Sequence, residues 1–323
     1  MKTFLTACIL TLCIGTMGFA QSGVTERMKA IWPKTDFSQA AVNFNEFLDG
    51  GPGKDGIPAI TDPEMIPVAQ EDRLGDDEPV MTVEIDGQAA RAYPIRYLMW
   101  HEIVNDQAGD SYFSVTFCPL CNSGIVFDRR FEGEIIELGV SGMLRNSDMI
   151  MYDRGTESWW QQFTGEGLVG VHNGKELTKI PGWMESWSDF KTRNPDGLVQ
   201  DEPRSRRQYG VNPYTRYDSG SFSLYSGENP PHGINPVSRV VVIKDSAWPL
   251  ERLRKAGSLT EKGYTITWEA GLNSALDTRR ISKGKDVGAI RVKDANGADV
   301  VHDVAFAFAF QAFHPEGNWM IGK

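Results

Sequence analysis

The heptapeptide AYPIRYL at 92–98 recurs as AWPLERL at 247–253. Both read small, aromatic, proline, aliphatic, two variable residues and leucine. Each follows a strand pattern that begins with Pro-Val, at Pro79-Val80 and Pro236-Val237. Two further matches come in the same order. YFSVTFCPLCNSGIVFDRR (112–130) meets YTITWEAGLNSALDTRR (264–280), and WQQFTGEG (160–167) meets FQAFHPEG (310–317). Chance supplies one such match easily, whereas three in order at similar spacing point to an internal duplication.

Between the matched pieces the chain alternates apolar and polar residues in short runs of strand type. These are VMTVEI (80–85), YFSVTF (112–117), GIVFDRRF (124–131), RVVVIK (239–244), YTITWE (264–269) and AIRVKD (289–294). Helical patterns are fewer and short, at PIRYLMWHEIV (94–104) and PLERLRKA (249–256). The expected fold class is therefore α+β and β-rich, with two related lobes from an internal duplication and few short helices. The lobes are placed at 78–170 and 235–323, the second degenerate, and are joined by a connecting segment at 171–234. An arm and a Gly/Pro-rich loop at 21–77 precede them.

The first twenty residues, MKTFLTACILTLCIGTMGFA, place one lysine before an apolar run and small residues around a cut after Ala20. That is the layout of a secretory signal peptide, so the expected localisation is periplasmic or secreted. Cleavage discards Cys8 and Cys13 and leaves Cys118 and Cys121 as the mature chain's two thiols. Beyond residue 20 no apolar run reaches the ~20 residues of a membrane-spanning helix. The net charge of −10, without a cluster of lysines and arginines, argues against a nucleic-acid partner.

Cys118 and Cys121 stand in TFCPLCNSG (116–124), and three chemistries fit such a pair. In an oxidising compartment it can close as a structural disulfide, although so small a loop contributes only about 2 kcal/mol. It can act as a redox dithiol, but NSGIVF follows where a thioredoxin-like site has a helix. It can also bind a metal. His101 lies seventeen residues upstream of Cys118, and Met151 lies downstream, giving the candidate ligand set His101, Cys118, Cys121 and Met151. Such a soft set favours copper, with zinc as the alternative. Pro119 restricts the loop between the thiols and preorganises them. The expected function is thus an exported copper-binding or copper-dependent redox protein, served by a metal-donor protein or a small molecule. The alternatives are a thiol–disulfide protein and a ligand-binding module with only a structural disulfide.

A second dense stretch, 139–170, sets Arg145, Asn146, Asp148, Asp153, Arg154, Glu157 and Gln161 among apolar residues. Asp153 and Glu157, with Arg154, are candidates for an acid/base site, against a reading in which they tie strands together. A pocket lined from 141 to 161 and facing His101 and the cysteines is expected.

Four stretches together resemble a bacterial family catalogued as domain of unknown function 3179. They are GGPGKDGIPAI (50–60), ARAYPIRYLMWHEIVND (90–106), VTFCPLCNSGIVFDR (115–129) and SGMLRNSDMIMYDRGTESWWQQFTGEGLVG (141–170). The resemblance implies no catalytic residues. It implies that His101, Asn105, Asp106, Cys118, Cys121, Met151, Asp153, Arg154, Ser158 and Gln161 occupy the family's motif positions.

Overall fold

A computed structural model of the chain describes residues 23–219, 225 and 227–322. The expected signal peptide, with Cys8 and Cys13, lies outside the described residues. Among them the chain forms a five-bladed β-propeller with five short α-helices. Its sheets have five, five, five, four and three strands, and a two-stranded ribbon joins Arg130–Phe131 to Glu134–Ile135.

This overturns the expectation of two related lobes from an internal duplication. One sheet runs in the order Trp183–Ser186, Pro79–Val83, Arg91–Pro94, Leu198–Gln200 and Met65–Pro67. Its strands come from both sides of residue 170, so the first lobe expected at 78–170 cuts through a blade. The other two five-stranded blades are built around the hairpins Ser111–Cys118/Ser123–Asp128 and Leu138–Arg145/Asp148–Asp153.

The two matched heptapeptides occupy the same place in two different blades. Each ends a strand that pairs antiparallel with its predecessor and parallel with a later strand: Arg91–Pro94 with Leu198–Gln200, and Ser246–Pro249 with Asn318–Trp319. Pro94 and Pro249, with φ of −59° and −56°, turn the chain from strand into a helix of seven residues. Those helices, Ile95–His101 and Leu250–Ala256, bury Leu98 and Leu253. The third sequence match does not hold in space. FQAFHPEG ends a helix and turns at His314, whereas WQQFTGEG contains the end of a strand. Its geometric counterpart is FKTRNPDG (190–197): Asn194 N donates to Phe190 O at 2.8 Å, as His314 N does to Phe310 O at 2.8 Å. The likeness is therefore of blade to blade. Matching by residue type chose a wrong partner because the helix-ending turn of the first blade carries different side chains.

Strand Asp303–Phe306 seats on the cysteine loop from the four-stranded blade. Phe306 N donates to Cys121 O at 2.8 Å, and Asn122 Nδ2 donates to Val304 O at 2.7 Å. Ser123 Oγ and Gly124 N donate to the Asp303 carboxylate at 2.6 and 2.9 Å. Beside this joint the buried Arg239 meets Asp218 at 2.9 Å, and Ser274 Oγ donates to the same carboxylate at 2.6 Å. Lys285 Nζ also approaches Asp218, at 3.3 Å, so removing Arg239 leaves that buried carboxylate with one half-exposed cation instead of two. Arg239→Met is thus expected to destabilise the chain in urea unfolding by less than the about 3–5 kcal/mol of a fully uncompensated buried charge, and Arg239→Met combined with Asp218→Leu to recover part of that loss.

Candidate metal centre

Two hairpin tips converge to make the cluster. In the first, strand Ser111–Cys118 ends at Cys118 and the chain turns back into Ser123–Asp128, pairing Cys118 with Ser123. Asn122 N donates to Pro119 O at 3.3 Å, and Asn122 takes the left-handed backbone at φ 52° that asparagine tolerates. In the second, Asn146 and Ser147, at φ 52° and 61°, form the two-residue turn before Asp148. Ser147 O lies 3.4 Å from Cys121 Sγ and 3.9 Å from Cys118 Sγ and accepts from both thiols.

Cys118, Cys121 and Asp148 each present a ligand atom, and these atoms lie within 4.8 Å of one another. All three residues are buried, Asp148 completely. One carboxylate oxygen of Asp148 is fixed by Gln161 Nε2 at 2.7 Å and Phe163 N at 2.9 Å. The other, Oδ1, has no hydrogen-bond partner despite full burial. Glu102, at the end of helix Ile95–His101, is also buried. No ion pair holds either carboxylate among the described residues. Lys179 feels the Asp148 charge, but its ammonium donates to Phe163 O at 2.8 Å.

Burial sets the protonation here, since removing a charge from water favours the neutral form of an acid. It raises Asp148 to about 6, partly offset by the bonds from Gln161 and Phe163 N and by the two thiols. Burial and then the Asp148 charge push Glu102 to about 8. Burial raises the Cys118 thiol, and Cys121 goes well above the ordinary range for the same reason. Tyr214 is likewise raised, first by burial and then by Glu102 and Cys118, which places it against the same cluster.

The other sequence candidates lie in different surroundings. Both ring nitrogens of His101 are engaged elsewhere, Nδ1 with Pro58 O at 2.7 Å and Nε2 with Tyr209 Oη at 2.6 Å. Met151 is buried opposite Trp160 and belongs to the same apolar cluster as the two cysteines. Asp153 accepts from Thr156 and from Trp160 Nε1 at 3.1 Å. Glu157 accepts from Lys54 Nζ at 2.6 Å and Lys34 N at 3.0 Å, and Arg154 joins Asp55 and Glu137. These contacts fasten the amino-terminal arm to the blade, and the two carboxylates serve separate partners. Among the other motif positions, Asn105 bridges Ser114 and Leu138, and Asp106 takes the Tyr93 hydroxyl at 2.5 Å. Ser158 Oγ hydrogen-bonds Thr156 Oγ1 at 2.8 Å. Two large clefts, of about 590 and 540 Å³, lie away from 141–161, around Arg239–Lys285 and Trp183–Arg291.

Sequence reasoning did not single out Asp148 or Glu102. Asp148 is one of several acids in its stretch, and only the Asn-Ser turn before it hints at a hairpin tip. Glu102 follows the more conspicuous His101.

Fold and cluster together define a β-propeller protein with a buried cysteine–cysteine–aspartate group. The chain belongs to the family described as protein of unknown function (DUF3179), whose model matches residues 54–317. Comparison with curated proteins and with solved structures gives no match.

The raised carboxyl groups fix the sign of a pH effect. Glu102 has a folded value of about 8 against an ordinary 4.5, so its contribution is fully present below the lower value and is lost as pH rises through the higher. Asp148 behaves alike between 3.8 and about 6. The metal-free chain is expected to lose stability between about pH 5 and 8 in denaturant titrations, and Glu102→Gln to flatten that loss.

Proposed function

We propose that the protein is exported and binds one transition-metal ion through Cys118, Cys121 and Asp148. The observation that carries this reading is the convergence of three ligand atoms within 4.8 Å in a fully buried place, with one Asp148 oxygen left unbonded. A buried polar atom without a partner is costly and unusual in a native core. A cation supplies a partner to that oxygen and to both sulfurs, and coordination deprotonates the thiols that burial otherwise keeps neutral.

Two thiolates and a carboxylate are a donor set that zinc accepts readily. Copper(I) prefers softer ligands, and the histidine expected to complete its set is committed to Pro58 and Tyr209. Zinc therefore fits better than copper, which stays as the second reading because Met151 shares the apolar surroundings of the sulfurs. Thiol–disulfide exchange is less well supported. The attacking species is an accessible thiolate, whereas both thiols here are buried and shifted towards the protonated form. No described helix is long and apolar enough to cross a membrane.

The test is loading of the anaerobically purified, reduced protein with zinc and copper(I), followed by elemental analysis. One equivalent of zinc is expected, and none in Cys118→Ser or Cys121→Ser. Gln161→Ala removes the bond that orients Asp148 and is expected to weaken zinc binding about 10–100-fold. Failure of the reduced protein to retain either metal would end this reading.

A further inference from the structure

Position-by-position comparison of two blades singles out Glu102. In the blade of helix Leu250–Ala256 the residue that ends the helix is Gly257, at φ 71° and ψ −46°. Its N–H donates to Leu253 O at 2.8 Å, and its carbonyl accepts from Trp268 N at 2.8 Å. Glu102 has the same backbone role: φ 60° and ψ −32°, N–H to Leu98 O at 2.8 Å, carbonyl from Phe117 N at 2.8 Å. Glycine is the residue suited to that left-handed position, and a glutamate there is strained.

The glutamate is not held there by a bond of its own. Its carboxyl makes no hydrogen bond or ion pair with a described residue, although the residue is only 7 % exposed. What it does feel is the cluster. The Asp148 charge acts on Glu102, and the Glu102 charge acts on Cys118. Asp148 Oδ1 is fully buried and without a hydrogen-bond partner. Phe117, which donates to the Glu102 carbonyl, directly precedes Cys118, so the helix end and the cysteine loop are tied together.

Resting on the metal-binding reading above, we infer that Glu102 is the fourth ligand of the metal held by Cys118, Cys121 and Asp148. The centre is then a two-thiolate, two-carboxylate site that closes the tetrahedral set preferred by zinc. The Glu102 carboxyl stands outside the group of three that lies within 4.8 Å, so its ligation requires the side chain to swing inward on binding. Such a donor set is harder than the copper-selecting combination of sulfur and imidazole and discriminates against copper(I).

The test uses cobalt(II) as a spectroscopic substitute for zinc in the full-length protein, with the variants Glu102→Gly and Glu102→Gln. Glu102→Gly relieves the left-handed strain, so the metal-free variant is expected to melt at a higher temperature than the parent. The same variant is expected to bind cobalt at least tenfold more weakly, with shifted d–d bands and an unchanged sulfur-to-metal charge-transfer band. Glu102→Gln is expected to shift the d–d bands as well. If the parent binds cobalt and both variants reproduce its affinity and d–d spectrum, Glu102 is not a ligand and this inference falls alone. If the parent shows no thiolate charge-transfer band, the underlying metal reading falls and takes the inference with it.

Discussion

Two thiols and the Asp148 carboxyl withdrawn from water at one place, with the buried Glu102 carboxyl close enough to feel that charge, are the constraint around which the rest of this structure is arranged. Each such group is costly to bury in its charged form, and no lysine, arginine or histidine pairs with Asp148 or Glu102 among the described residues. Protonation is one way to meet that cost, and the raised values of Asp148 and Glu102 show it in the metal-free chain. Coordination of a cation is the other, and it engages Asp148 and both sulfurs at once.

The propeller provides what such a cluster needs, which is rigid convergence. The cysteines stand at one hairpin tip and Asp148 follows another, so their separation is set by strand pairing rather than by flexible loops. A strand from a further blade then seals the cysteine loop through Cys121 O, Asn122, Ser123 and Gly124. Gln161, which ends the next strand, and Phe163 N just beyond it fix one Asp148 oxygen and leave the other without a hydrogen-bond partner. Supporting bonds of this kind orient metal ligands in protein sites generally.

Much of the local structure was legible in the sequence. The six alternating runs all form strands, and the two short amphipathic patterns form helices Ile95–His101 and Leu250–Ala256. The cysteine pair stood out because the expected cleavage after Ala20 removes the chain's two other cysteines, Cys8 and Cys13. What sequence could not show was how blades draw strands from distant segments. Trp183–Ser186 pairs with Pro79–Val83 across a span that contains four strands of each of two other blades, and no periodicity records such a pairing. The same limit hid which residues gather beside the cysteines. Proximity in sequence favoured His101, whose ring turns to Pro58 and Tyr209, and passed over its neighbour Glu102, whose buried carboxyl feels the Asp148 charge. Asp148 lies near the thiols only because two hairpins meet.

X-ray absorption at the zinc edge of the loaded protein tests the central claim most directly. The account predicts two sulfur scatterers at about 2.3 Å and oxygen at about 2.0–2.2 Å. A shell of nitrogen and oxygen alone, with Cys118 and Cys121 joined as a disulfide, would contradict it.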